Sequence, residues 1–239
     1  MSDTAEISAR TTSRRPSLGH RILGVVGELM MTLGALMILF AAYQLWWTNV
    51  EAGRQSQQAA MELQQQWAAP ATPDAPPSAS PTLGSAFALA WIPRLKDKVW
   101  GLPINEGVGT AELAQGLGHY PTSAMPGETG NFAVAGHRAT NGEPLRGVDL
   151  LQQGDEVIIE TADTWYTYRL ERDEIVAPDA VWVIEPVPGQ PNAEPTQALI
   201  TLTTCNPRWA SYQRWVWWGV LESAVAKSTG KVPDAVAAG

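Results

Sequence analysis

Cys205 is the single cysteine among 239 residues. A thiol is a good nucleophile only as thiolate, and its free pKa of about 8.5 calls for a neighbouring base or positive charge. Three histidines are available. His20 flanks an apolar N-terminal run and falls on the far side of the membrane in the topology argued below, which leaves His119 and His137 as partners for Cys205. His137 follows the apolar stretch Asn131–Ala135 and Gly136. A strand end opening into a turn is where a rigid scaffold presents side chains to a cleft. His119 lies in QGLGHYPTSAMPG, read here as a loop. Cys205 ends the run ALITLTTC and precedes Asn206-Pro207. Proline cannot continue a central ladder, so the thiol sits at a strand terminus. A lone cysteine is equally at home as a small buried hydrophobe, and position alone leaves both roles open. Arg214 lies in SYQRWVWWGVL, where strand alternation puts Tyr212, Arg214, Val216, Trp218 and Val220 on one face. A guanidinium on an otherwise apolar face needs a partner or lines a site. Stabilising the oxyanion of a thioester and forming a structural salt bridge are both open to it.

The elements that must position these residues read as short β runs separated by Gly, Pro and Asp turns. Strands are expected at 89–93, 131–135, 156–160, 164–175, 181–184, 198–204 and 213–221, with Thr161-Ala162-Asp163 turning a hairpin. Seven or eight short strands with few helices argue for a β-barrel or sandwich. A short helix is expected at 110–117, capped by Thr110, and a helical turn at 145–151. No internal repeat is visible.

From Leu29 to Trp47 the chain reads LMMTLGALMILFAAYQLWW, without a charge. At ~1.5 Å per residue, about 20 residues cross the ~30 Å hydrocarbon core. Tyr43, Trp46 and Trp47 end the run, where aromatic rings suit the lipid boundary, and Arg10, Arg14, Arg15 and Arg21 precede it. The positive-inside tendency places the N-terminus in the cytoplasm and the rest outside. A cleaved signal peptide fits less well, because the run is long and ends in bulky aromatics instead of small residues. The expected organisation is a cytoplasmic segment at 1–21, a transmembrane anchor at 22–47, and a stalk and Pro/Ala-rich linker at 48–86. A catalytic domain at 87–225 and a flexible tail at 226–239 complete it. The net charge of −8 gives a nucleic-acid role no electrostatic support, and one cysteine allows no intramolecular disulfide.

The ordered set NFAVAGHR, TLTTC and a downstream arginine resembles the signature of the sortases. Thr201, Leu202, Thr204 and Cys205 match its TLxTC motif, His137 its histidine, and Arg214 its arginine nine residues after the cysteine. IPRL, GLGHYPTSAMPGETGN and IVAPDAVWVIEPVPG extend the likeness over nearly all of 89–221. The resemblance implies an all-β fold: an eight-stranded sortase-like barrel with short helices, preceded by one N-terminal transmembrane helix. It implies a cysteine transpeptidase in which Cys205 attacks the Thr–Gly bond of a C-terminal sorting signal. The partners it implies are surface or pilin proteins bearing that signal and an amine of the cell wall or a pilin. His137 would exchange protons, Arg214 would hold oxyanion and substrate, and Thr204, Tyr120 and His119 would contact substrate. The TLTTCNPRWASYQRWVWWGVLES stretch and the tether look most like class E sortases of high-GC Gram-positive bacteria, associated with LAxTG-type rather than LPxTG-type signals. There Tyr120 matches a tyrosine linked to the alanine preference. No cofactor and no metal requirement are expected. Papain-like hydrolases place Cys before His, and L,D-transpeptidases keep His close to Cys; neither order is seen here. A non-catalytic anchored β-domain that binds cell-wall proteins is the remaining alternative.

Overall fold

The computed structural model describes residues 18–69 and 81–239. The basic flank at Arg10, Arg14 and Arg15 and most of the Pro/Ala-rich tether lie outside the described residues. Helix α1 runs from Leu18 to Ala68. As far as Leu45 it belongs to one structural unit, and from Trp46 onward the chain forms a second. In the first unit the apolar side chains face outward: Met31, Ile38 and Leu39 are 75%, 72% and 65% exposed. This segment is long and apolar enough to cross a membrane. In the second unit the remainder of α1 buries Ala52 and Leu63, and Ser56 donates to the carbonyl of Gln115.

Eight strands follow: β1 Ala86–Trp91, β2 Trp100–Glu106, β3 Leu117–His119, β4 Gly130–Ala135, β5 Glu156–Glu160, β6 Thr164–Val176, β7 Ala198–Asn206 and β8 Gln213–Ala226. They close into a barrel in the order β1-β2-β3-β4-β7-β8-β6-β5, with β1 pairing β5. The expected all-β barrel is thus present. Two pairings, β2–β3 and β4–β7, are parallel, and the rest are antiparallel. Parallel strands are commonly buried and read as continuous apolar runs, and all six residues of β4 are buried.

The core gathers Phe132, Val134, Ile159, Tyr168, Ile200 and Leu202, all fully buried. The Tyr168 hydroxyl accepts from the backbone N–H of Gly127 at 2.7 Å, and burial pushes the phenol pKa far up. Each large apolar side chain so buried contributes about 1.5–3 kcal/mol. Phe132→Ala removes a ring from the middle of β4 and leaves a cavity. The expected loss is about 3–5 kcal/mol, read by denaturant unfolding of the full chain.

Three local expectations need correction. Residues 181–184 form a 3-10 turn, not a strand. Prolines flank this apolar run, and one of its carbonyls is taken by side chains: Trp218 Nε1 and Asn131 Nδ2 both donate to the carbonyl of Val183. Strand β2 was not foreseen because Gly101 and Pro103 interrupt its pattern, and β3 because three residues carry no period. Helix α2 covers only Thr110–Ala114, with Gly109 in place of Thr110 at its N-cap. Extension toward residue 117 is blocked because Gly116 lies at φ 159° with its α-carbon packed on the Pro103 carbonyl. Strand β8 runs on to Ala226, and the C-terminal stretch holds a turn at Lys227–Thr229 and α3 at Asp234–Ala237.

Candidate active site

The parallel pairing of β4 with β7 sets the site. Ala135 lies opposite Thr203, and Gly136 N–H extends the ladder to the Thr203 carbonyl at 3.1 Å. Two strands pointing the same way end together, so His137 leaves β4 where Cys205 leaves β7. On the other side of β7 the register with β8 puts Cys205 directly opposite Arg214. Directly opposed residues carry their Cβ atoms about 4.5–5.5 Å apart. His137, Cys205 and Arg214, with Tyr120, Thr204, Val108 and Leu113, line one pocket of about 220 Å³. Cys205 is free and half-buried, not a fully enclosed core residue.

Arg214 forms no ion pair among the described residues, which removes the structural salt bridge as its reason for being there. Its Nη1 donates to the carbonyls of Ser211 and Gln213 at 3.1 and 3.0 Å, which anchors the guanidinium at the mouth of β8. Burial raises the pKa of Tyr120, with Arg214 opposing and Cys205 adding to the shift. The phenol therefore remains a neutral donor. Thr204 is buried, and its hydroxyl donates to the Gly136 carbonyl at 2.7 Å. That bond ties the end of β7 to the residue preceding His137.

His119 is placed elsewhere. It ends β3 at 1% exposure, with Nδ1 2.7 Å from Glu106 Oε2 and Nε2 2.9 Å from Ser123 Oγ. Its ring stacks on Phe132 at 5.1 Å. Both nitrogens are engaged inside the protein, and the residue is not among those lining the pocket of Cys205. A sequence reading as loop concealed a buried polar cluster.

Two residues escaped the sequence reading. Arg138, 7% exposed, donates from Nη1 to Asn206 Oδ1 at 2.6 Å and from Nη2 to Asp149 at 3.2 Å. Its guanidinium also lies 5.0 Å over the Trp215 ring. It thus links the residue after His137 to the residue after Cys205. The adjacency of an arginine to His137 was the only signal available. Asn141 was the other, with Nδ2 at 3.2 Å from His137 Nε2.

Burial lowers the pKa of His137. The folded state therefore binds this proton less readily than the unfolded chain, whose histidine titrates near 6.5. The associated stability is present above about pH 6.5 and is lost as pH falls from there through the lower folded value. Melting temperatures measured between pH 7.5 and 5 should fall more steeply for the wild type than for His137→Gln. Parallel curves would show that this ring pays no protonation penalty on folding.

Chemically the pocket offers a thiol at a strand end, an imidazole beside it and a fixed cation opposite. That set suits attack on a carbonyl, proton exchange with a leaving or entering amine, and stabilisation of the oxyanion between. The Sortase domain family matches residues 91–222, more than half of the chain. Sortase SrtE1 of Streptomyces coelicolor is 39% identical over 242 aligned positions, which cover 97% of this chain. The alignment spans 66% of that relative's length. The structure of sortase E from Streptomyces avermitilis is similar at a TM-score of 0.58 and 42% identity, over 65% of this chain and 99% of that one. That of sortase E1 from Streptomyces coelicolor, solved with a tripeptide in its active site, gives 0.58 and 36% over 66% and 99%.

Proposed function

The chain belongs to the sortase family, and from that membership we propose a membrane-anchored cysteine transpeptidase working in the pocket of Cys205. The observation that carries this reading is the placement of Cys205 opposite Arg214 and beside the β4 end that bears His137. In this scheme the Cys205 thiolate attacks the threonine carbonyl of a Thr–Gly bond. The carbonyl π electrons move to oxygen, and Arg214 donates to the oxyanion. The C–N bond breaks, the glycine amine leaves with a proton from His137, and a thioester remains. An amine of the cell wall or a pilin then attacks the thioester and gives a proton to His137. Collapse forms the new amide and releases the Cys205 thiolate beside the reprotonated His137. Thr204 donates its hydroxyl hydrogen to the Gly136 carbonyl, which supports the His137 strand end, and its oxygen remains able to accept from substrate in the pocket. Tyr120 supplies a wall of the pocket and favours LAxTG-type over LPxTG-type signals. The tripeptide held by the Streptomyces coelicolor relative supports a peptide as the occupant.

The anchor is residues 22–47 of α1, with residues 1–21 cytoplasmic and the barrel outside. The catalytic domain is 87–225, on a stalk and tether at 48–86. Protease added to spheroplasts should digest the barrel and spare an N-terminal tag; the reverse pattern overturns this topology.

The test uses the full chain in detergent micelles with LAxTG and LPxTG peptides and an amine acceptor. Intact-mass spectrometry should show the acyl group on the wild type and ligated product in time, faster with LAxTG. No adduct and no product with either peptide rejects the reading. Arg214→Ala should lower kcat about 10²–10³-fold while the fold stays intact, because the oxyanion loses its donor. Arg214→Lys recovers only part, since a point charge does not reproduce the planar fork. A full-rate Arg214→Ala enzyme would remove the arginine from the mechanism.

A further inference from the structure

The loop after His137 is held from three directions. Asn141, Gly142 and Glu143 stand at φ 51°, 80° and 52°, three successive left-handed residues, a state that glutamate seldom adopts. Asn49, on α1 just beyond the apolar run, grips two of them. Its Oδ1 accepts from Gly142 N–H at 3.0 Å, and its Nδ2 donates to Glu143 Oε1 at 2.9 Å. Glu143 is 6% exposed, and its other oxygen accepts from Arg208 at 2.7 Å, three residues past Cys205. Leu145 N–H closes the loop onto the His137 carbonyl at 3.0 Å. The product of this framing is one fixed contact: the Asn141 amide at the His137 Nε2.

We propose that Asn141 is the positioning residue for His137, and that Glu143 and Asn49 fix it, so that the juxtamembrane end of α1 is part of the catalytic apparatus. This rests on the reading of His137 as the proton-exchanging group. An amide serves either protonation state. Nδ2 donates to an unprotonated Nε2, and the amide turned over offers Oδ1 to an Nε2–H. Nε2 is tethered in both, so Nδ1 is the nitrogen left to trade protons with the thiol and the amines. The other titratable groups facing the ring are Tyr120 beyond β3, Cys205 on β7 and Arg214 on β8. None of them bonds Nε2. A carboxylate at position 141 would only accept, and so would favour the imidazolium.

The test uses the full chain in micelles, labelled with 13C-histidine, as wild type, Asn141→Ala, Asn141→Asp and Asn49→Ala. The His137 signal is identified by its absence in His137→Gln. Asn141→Asp should raise the His137 pKa by about one unit, clearly beyond any change in Asn141→Ala. Asn141→Ala should lower kcat about 10-fold at unchanged KM, and Asn49→Ala should do the same more weakly. A ring pKa equal in Asn141→Ala and Asn141→Asp, or a wild-type kcat in Asn141→Ala, overturns the proposal. Should the wild type itself process no sorting peptide, the transpeptidase reading fails, while the titration still decides the role of Asn141.

Discussion

Cys205→Ala in the full chain abolishes both cleavage and ligation of sorting peptides, a fall of at least about 10⁴-fold. The thiol is the strongest nucleophile lining the pocket, and alanine offers no bond in its place. The barrel should be unaffected, because Cys205 is half-buried at the end of β7 and the ladder to β8 is made by backbone. Melting temperature and membrane association therefore stay as in the wild type. Cys205→Ser is expected to fail nearly as badly: a hydroxyl keeps the geometry but lacks the acidity that a weakly basic, half-buried imidazole requires. Peptide turnover within tenfold of wild type in either variant would show that the chemistry lies elsewhere.

The second large effect separates two histidines by the way they fail. His137→Ala should cost about 10²–10⁴-fold in kcat with normal folding, since proton transfer to and from the amine loses its carrier. His119→Ala should do the opposite. It removes the partner of Glu106 and of Ser123 and opens space beside Phe132. The expected cost is about 2–4 kcal/mol of stability, with the folded fraction still active below its lowered melting temperature. Activity per folded molecule, obtained by pairing rate measurements with circular dichroism, discriminates the two. Loss of turnover in a well-folded His119→Ala, with a competent His137→Ala, would exchange their roles.

The sequence was informative where a pattern is dense. Strands β4 to β7 are β-branched and aromatic runs with Gly, Pro or Asp close to their ends, and the expected bounds nearly coincide with the observed ones, whereas β8 runs five residues further than expected. Cys205 at the end of β7 could be read from the Asn206-Pro207 step. His137 and His119 could not be ranked from spacing, because what distinguishes them is the parallel register of β4 on β7 and the polar cluster around Glu106. Strand β2 was hidden by Pro103, which sits opposite Leu89 in the ladder with β1. The 3-10 turn at Val181–Ile184 has strand-like composition, yet Asn131 and Trp218 take up its Val183 carbonyl, and those donors come from distant strands. The link from Asn49 to Glu143 joins residues 94 apart in the chain. Nothing in local composition marks a contact of that kind.

The last strand pairs with β6 from Arg214 to Ala226 and with β7 from Leu199 to Asn206, so it is the stave that joins those two strands in the barrel. Because the chain is made from its N-terminal end, β4 and His137 are complete before β8, which ends at Ala226, 13 residues before Gly239. The site is consequently all-or-nothing in time: a chain that has not yet added β8 carries a thiol but no guanidinium facing it. That lag is the ordinary cost of long-range strand pairing, whose loop-closure entropy must be met before its contacts form.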